Sequence, residues 1–73
     1  MSNYVSPRDA IVEAIRKHGG KASVAEIYEF IAKARGQREL TRREQNTVRM
    51  AIQRQKTRGV IVRTAPQTYS LPT

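Results

Sequence analysis

Residues 41–64 read TRREQNTVRMAIQRQKTRGVIVRT, and the change of periodicity inside this stretch decides the fold. Before Gly59, apolar side chains recur at three- and four-residue spacing, which predicts a long polar helix with a narrow apolar seam at Val48, Ala51 and Ile52. After Gly59 the period becomes two, because residues 60–64 are rich in β-branched side chains, and this predicts a strand.

The chain carries three helix-start signals, and a glycine follows each of the predicted helices. Ser23-Val24-Ala25-Glu26 and Thr41-Arg42-Arg43-Glu44 are capping boxes, with a hydroxyl at the cap and a glutamate three residues later. Ser6-Pro7-Arg8-Asp9 places a cap before a proline at the first helical position. With Gly19, Gly36 and Gly59 as the terminating residues, helices are predicted at about 7–18, 24–35 and 42–58.

A β-hairpin is predicted at about 60–72, after the third helix. Its strands are Val60–Thr64 and Tyr69–Leu71, and the intervening Ala65-Pro66-Gln67-Thr68 contains the proline that is typical of a turn. Lys21-Ala22 would add a short strand beside them. The order helix, short strand, helix, helix, hairpin predicts a small α+β fold, a three-helix bundle with a C-terminal hairpin.

The composition limits the class of protein. A length of 73 residues predicts one small domain over 1–73, and the absence of cysteine excludes disulfides and cysteine-ligated zinc. No apolar run approaches the roughly 20 residues of a membrane span, and residues 1–7 lack the apolar stretch of a signal peptide. We therefore expect a cytoplasmic protein with no membrane partner, associated with the nucleoid if its host is prokaryotic or viral.

The net charge of +8 is unevenly distributed along the chain. Residues 1–34 carry five basic and four acidic side chains, whereas residues 35–73 carry nine basic and two acidic ones. Eight of those nine are arginine. Because guanidinium offers planar, bidentate donors to phosphate and to guanine, the second half predicts a surface that faces phosphate.

The side of helix 3 opposite its apolar seam carries the candidate functional residues. At about 100° per residue this arc contains no acid, and it collects Arg42, Arg43, Asn46, Arg49, Met50, Gln53, Arg54 and Thr57. Arginine, asparagine and glutamine match the hydrogen-bonding edges of guanine and adenine in the major groove. A solvated helix face would instead carry glutamate and lysine at i,i+4 spacing.

No catalytic constellation is found, so we expect no enzymatic activity, no metal and no cofactor. His18 is the only histidine, and it lies where helix 1 is predicted to end, a position typical of a packed or dipole-facing imidazole. Glu26 and Glu29 lie three residues apart, without a basic partner or a glycine-rich loop nearby.

The element order together with a basic third helix resembles the winged helix-turn-helix domain, over nearly the whole chain. Glu26-Ile27-Tyr28, Thr47-Val48-Arg49, Gly59-Val60-Ile61 and Tyr69-Ser70-Leu71 are similar to the spaced signature of HARE-HTH winged helices, which are related to the N-terminal domain of the RNA polymerase delta subunit. The resemblance implies that helix 3 is the recognition helix and that residues 62–69 form the wing.

Two features depart from that family. Residues 36–40 form a longer and more charged connection than a tight helix-turn-helix turn. Pro66-Gln67 also stands where the wing usually has a glycine.

The main hypothesis is sequence-specific or architectural binding of double-stranded DNA by a small transcriptional regulator, with helix 3 in the major groove. We expect bases to be contacted by Asn46, Arg49, Met50 and Gln53, and phosphates by Arg42, Arg43, Arg54, Lys56 and Arg63. The wing would contribute Thr64, Gln67 and Thr68. A homodimer or a cooperative oligomer on DNA would extend the few base pairs that one helix can read.

Two alternatives stay open. A protein-interaction winged helix would dock on a polymerase or another acidic partner through Met50, Tyr28 and Val12. An RNA-binding domain would stack bases on aromatic side chains, of which the chain has only three tyrosines and one phenylalanine.

Overall fold

A computed structural model describes residues 7–72, with side chains from residue 9 onwards. The described residues form three helices and three short strands, in the order α1 (Pro7–Lys17), β1 (Lys21–Ser23), α2 (Val24–Ala34), α3 (Arg42–Thr57), β2 (Val62–Ala65) and β3 (Thr68–Ser70). The α+β class and the predicted order of elements are confirmed. None of the helices within residues 7–72 is long and apolar enough to cross a membrane.

Both capping boxes within the described residues are formed as predicted. The Ser23 hydroxyl accepts from the Glu26 N–H at 3.1 Å, and the Glu26 carboxylate accepts from the Ser23 N–H at 2.8 Å. At the start of α3 the corresponding distances for Thr41 and Glu44 are 3.2 and 2.9 Å. Each box pairs two backbone donors that a helix terminus otherwise leaves free. The third predicted cap, Ser6, lies outside the described residues.

The predicted glycines end all three helices by the same hydrogen-bonding pattern. After α3, Gly59 has a φ of 78°, its N–H donates to the Lys56 carbonyl at 3.1 Å, and the Val60 N–H donates to the Gln55 carbonyl at 2.9 Å. This is a Schellman motif, in which the left-handed residue after the cap is nearly always glycine. The same pair of bonds follows α1 and α2.

The three strands form one antiparallel sheet in the order β1-β3-β2. β3 pairs with β1 through Ser23↔Thr68 and with β2 through Arg63↔Tyr69 and Ala65↔Thr68. Thr64 is therefore the additional residue of a bulge, and its side chain is exposed. The bulge interrupts the outer edge of β2, which reduces its capacity to pair with another strand.

The predicted strand boundaries are wrong by one or two residues. The strands were expected at 60–64 and 69–71, whereas β2 starts at Val62 and β3 covers Thr68–Ser70. Val60 is instead used to close α3, and Ile61 is fully buried in the core.

The core lies between the three helices and one face of the sheet. The largest fully buried side chains are Ile11, Ile15, Ile27, Val48, Ile52 and Ile61. On α2, Ala32 is buried whereas Ala34 is exposed. Among the buried residues outside the predicted seam of α3 are Leu40 in the connection and Gln55 on α3 itself. The Gln55 Oε1 atom has no hydrogen-bond partner among the described residues.

The hairpin turn folds back onto the start of α2. The Gln67 carbonyl accepts from the Val24 N–H at 2.8 Å, and Ser23 is the β-sheet partner of Thr68. Only Pro66 and Gln67 separate the two strands, and Gln67 has a φ of 56°. Where the winged helix-turn-helix family usually has a glycine, this turn has a glutamine in the left-handed conformation.

Because a left-handed conformation is costly for a side chain with a Cβ, substitution of Gln67 tests this turn. Gln67→Val should lower the free energy of unfolding by about 1 kcal/mol, since a β-branched residue tolerates this conformation least. Gln67→Gly should leave the free energy of unfolding unchanged or raise it slightly. Glycine relieves the strain in the folded state, but it also gives the unfolded chain more conformational freedom, and these two effects oppose each other. Urea unfolding followed by circular dichroism measures both. Equal stability of the valine and glycine variants would contradict the assigned turn.

Candidate nucleic-acid interface

α3 is held against the rest of the protein by one narrow strip of its surface. Its buried side chains are Val48, Ala51, Ile52 and Gln55, which recur at three- and four-residue spacing. Every basic residue on the helix is exposed, as are Asn46, Met50 and Gln53. The predicted division of α3 into a core seam and an outward polar face is therefore present.

A cleft of about 390 Å³ separates α3 from the hairpin. Five residues predicted for the site line it together: Asn46, Arg49 and Gln53 from α3, and Arg63 and Gln67 from the hairpin. The remaining lining residues are Val24, Tyr28, Gln45, Ile52 and Tyr69, and no carboxylate is among them. The cleft thus brings two guanidinium groups from different elements into one acid-free site.

The other predicted site residues lie outside the cleft. Arg42 and Lys56 are each seven residues from Arg49, so helical spacing places them on the same side of α3, two turns before and after it. Arg43, Met50 and Arg54 occupy the adjoining side, where the Met50 side chain is 65% exposed. The base-contacting candidates are therefore split, because Met50 does not face the cleft that the other three line.

The wing candidates also separate in the structure. Gln67 lines the cleft, while Thr64 lies exposed at the bulge. Thr68 is half-buried, and its hydroxyl donates to the Pro66 carbonyl at 3.3 Å. Of the three, only Gln67 is brought together with the residues of α3.

Tyr28 is a cleft residue that the sequence did not assign to the DNA site. Its hydroxyl donates to the Gln45 carbonyl at 3.3 Å and so links α2 to the first turns of α3. Burial raises the pKa of this phenol, and the nearby Arg49 guanidinium opposes that shift. In the sequence, Tyr28 directly follows Ile27, which is buried. This adjacency is the signal that places Tyr28 at the edge of the core.

The carboxylates and the basic groups that they contact are concentrated in the first half of the chain. Among residues 9–72, four carboxylates lie within ion-pairing distance of a basic side chain, and all four basic partners lie before residue 36: Glu13–Arg16, Glu26–His18, Glu29–Lys33 and Glu44–Arg35. The expectation that Glu26 and Glu29 have no basic partner is therefore wrong, because one pairs with the turn after α1 and the other with the next turn of its own helix. Among the described residues, eight basic side chains of the second half form no ion pair: Arg38, Arg42, Arg43, Arg49, Arg54, Lys56, Arg58 and Arg63. All eight are exposed. The excess charge is thus left unneutralised on α3, its flanking turns and the hairpin.

The long connection between α2 and α3 is fixed by one carboxylate. Glu44 accepts from Arg35 Nη1 at 2.9 Å and from Gln37 Nε2 at 3.0 Å, in addition to the Thr41 N–H. The Thr41 backbone bond, followed by the Gln37 bond, lowers the pKa of Glu44 to about 2. Leu40, in the same connection, is buried in the core. The same glutamate therefore caps α3 and sets where the helix begins relative to α2.

His18 occupies the turn after α1 rather than its last helical residue. Its Nδ1 lies 2.9 Å from the Ala14 carbonyl, and its Nε2 lies 3.7 Å from the Glu26 carboxylate. The imidazole therefore contacts the C-terminal end of α1, as expected.

Comparison with known proteins yields no matching family model, no significant match among curated proteins and none among solved structures.

Removing the Glu44 charge should weaken the fold in a pH-dependent way. Because the pKa is about 2 in the folded chain against an ordinary value of 4.5, the stabilisation by the ionised form is complete above about pH 4.5 and is lost as the pH falls towards 2. Glu44→Gln should therefore lower the Tm at pH 7, and the gap to the wild type should narrow between pH 5 and pH 2.

The matched control is Glu39→Gln, since Glu39 is exposed and its carboxylate contacts no basic group among residues 9–72. Thermal unfolding by circular dichroism across this pH range compares the three chains. A Tm gap for Glu44→Gln that stays constant from pH 7 to pH 2 would contradict the assigned network.

Proposed function

We propose that this protein binds double-stranded DNA as a small winged helix, with α3 in the major groove and the hairpin as a short wing. The proposal is supported by the element order, by the β1-β3-β2 sheet and by a third helix whose outward surface carries only polar, basic and methionine side chains. The short hairpin limits the wing to contacts made beside α3, through Arg63 and Gln67.

The observation that carries the proposal is the set of eight exposed basic side chains with no carboxylate partner in the described chain. Such a set raises the electrostatic energy of the folded protein through self-repulsion. A polyanion removes that repulsion and releases its own condensed counterions on binding. DNA supplies the required charge density, and the arginine side chains supply the matching donor geometry.

The assignment of individual roles follows the two sides of α3. Asn46, Arg49 and Gln53 are proposed to meet base edges, and Met50 to contact a thymine methyl. Phosphate contacts are assigned to Arg42, Arg43, Arg54, Lys56 and Arg63, which extend along both sides of the helix and onto β2. We further propose a role as a cytoplasmic or nucleoid-associated regulator or architectural protein, acting as a homodimer or a cooperative oligomer on DNA.

Binding should depend steeply on salt. If about six basic groups neutralise phosphates, the logarithm of the association constant should fall with the logarithm of salt concentration with a slope of roughly −5. Fluorescence anisotropy of a labelled duplex, titrated between 50 and 200 mM salt, measures the slope. A slope near zero would exclude binding through this surface.

Two arginine variants separate phosphate contact from base contact. Arg42→Ala should weaken binding to all duplexes alike and reduce the salt slope by about 1, as expected for one lost phosphate contact. Arg49→Ala should narrow the difference between a preferred and a random duplex, by about 1–3 kcal/mol if its contact is bidentate.

Arg16→Ala is the control for these variants, because it removes one arginine charge from α1 and leaves α3 intact. It should change the affinity far less than either variant. Equal losses from Arg49→Ala on both duplexes would remove Arg49 from the base-contacting set.

The exposure of Met50 favours a second candidate function. An apolar side chain that is 65% exposed amid arginines fits an acidic protein partner as well as a thymine methyl. Selection of bound sequences from a random duplex pool separates these functions. An enriched motif supports a regulator, retention without a motif supports an architectural protein, and weak retention supports the protein-interaction alternative.

A further inference from the structure

The cleft between α3 and the hairpin contains polar side chains that the protein itself leaves without partners. The guanidinium groups of Arg49 and Arg63 and the carboxamides of Asn46, Gln53 and Gln67 all line it. None of these five side chains forms a hydrogen bond or an ion pair with another residue of the described chain. Together they offer charged donors beside groups that both donate and accept.

Three other residues that line the cleft are different in character. Val24, Ile52 and Tyr69 contribute apolar surface beside the polar side chains of α3 and the hairpin. A ligand that fills the site therefore needs an anionic group, a hydrogen-bonding edge and an apolar body. An inorganic phosphate provides only the first of these.

The dimensions of the cleft limit the ligand further. Its volume of about 390 Å³ stands near the lower end of the roughly 300–1,000 Å³ of small-molecule pockets. A unit of one nucleotide suits that space, whereas a base pair or a peptide helix does not. Carboxamides also match the donor–acceptor edges of bases, while a carboxylate-rich peptide requires donors alone.

The backbones of both walls of the cleft are joined to α2. The hairpin turn is joined to it by the Val24–Gln67 backbone bond of 2.8 Å, and α3 is joined to it by the Tyr28–Gln45 bond of 3.3 Å. Because the backbone is held in this way, binding must order only the side chains of the walls.

We propose that this cleft holds one unpaired nucleotide of the bound DNA. Its base lies against Val24, Ile52 and Tyr69, and its edge meets the Arg49 guanidinium and the carboxamides. Its phosphate meets Arg63. The inference rests on the proposed DNA-binding function and makes it more specific, because a nucleotide in the cleft has left the duplex stack. The protein then prefers DNA with a bulged or flipped nucleotide to fully paired DNA.

Two duplexes that differ by one bulged adenine test the inference. In fluorescence anisotropy at fixed salt, the bulged duplex should bind about tenfold more tightly than the paired one, the scale of one stacked base. Val24→Phe, which enlarges an apolar residue that lines the cleft, should abolish this difference. Val62→Phe makes the same change at an exposed residue outside the cleft and should leave the difference intact.

A competition experiment with the wild-type chain needs no variant and stands even if Val24→Phe fails to fold. Deoxyadenosine monophosphate should lower the affinity for the bulged duplex to that of the paired duplex, at concentrations where inorganic phosphate and a tetraglutamate peptide, at the same ionic strength, do not. An equal effect of phosphate would show that the cleft binds only an anion, and a stronger effect of the peptide would assign the cleft to an acidic protein. Either result overturns the inference.

The outcomes also separate this inference from the proposed function. Equal affinity for the two duplexes overturns the nucleotide site and leaves duplex binding in place. A bulge preference that Val24→Phe does not reduce places the unpaired nucleotide elsewhere and overturns the cleft assignment. If neither the bulged nor the paired duplex binds, both the proposed function and the inference are overturned.

Discussion

The packing of α3 through a single narrow strip is the constraint on which the rest of the structure depends. A chain of 73 residues has a small core, and α3 contributes only four buried side chains to it, one of them the glutamine Gln55. The helix is therefore held in place by polar contacts at its ends as well. The Glu44 network fixes its start, Tyr28 binds its first turns and the Schellman motif at Gly59 closes it. What remains is a long helix with most of its circumference exposed.

That exposure determines the electrostatics. The carboxylates that form ion pairs find their partners on α1 and α2 and in the turns that follow them, and each of these contacts also serves the local fold. The arginines of α3 and the hairpin have no such partner among the described residues. They are positioned by a rigid helix and a sheet rather than by one another. The net charge of +8 is therefore concentrated on one side of the protein, as is required to orient a bound polyanion.

Most of the fold could be predicted from local sequence signals. The features that could not be predicted are determined by tertiary contacts. Capping boxes at Ser23 and Thr41 and a terminating glycine such as Gly59 act within a few residues, so the helices could be placed to within a residue. The start of β2 depends on two tertiary facts, namely that Val60 closes α3 and that Ile61 enters the core. The alternation of side chains along the sequence does not reveal either of them. Leu40 stands in a charged connection, and its burial follows from how α2 and α3 meet. For the site, helical projection gave the outward face of α3, but its convergence with Arg63 required the position of the hairpin.

We propose that α3 and the hairpin, rather than α1 or the outer side of α2, contact DNA. Backbone amide chemical shifts, measured by NMR during titration with an unlabelled duplex, test this most directly. The perturbed amides should lie on α3, on β2 and at Gln67 in the turn, with little change around Glu13, Arg16 and Lys33. Perturbations concentrated on α1 and the outer side of α2, or spread evenly over the chain, would contradict it.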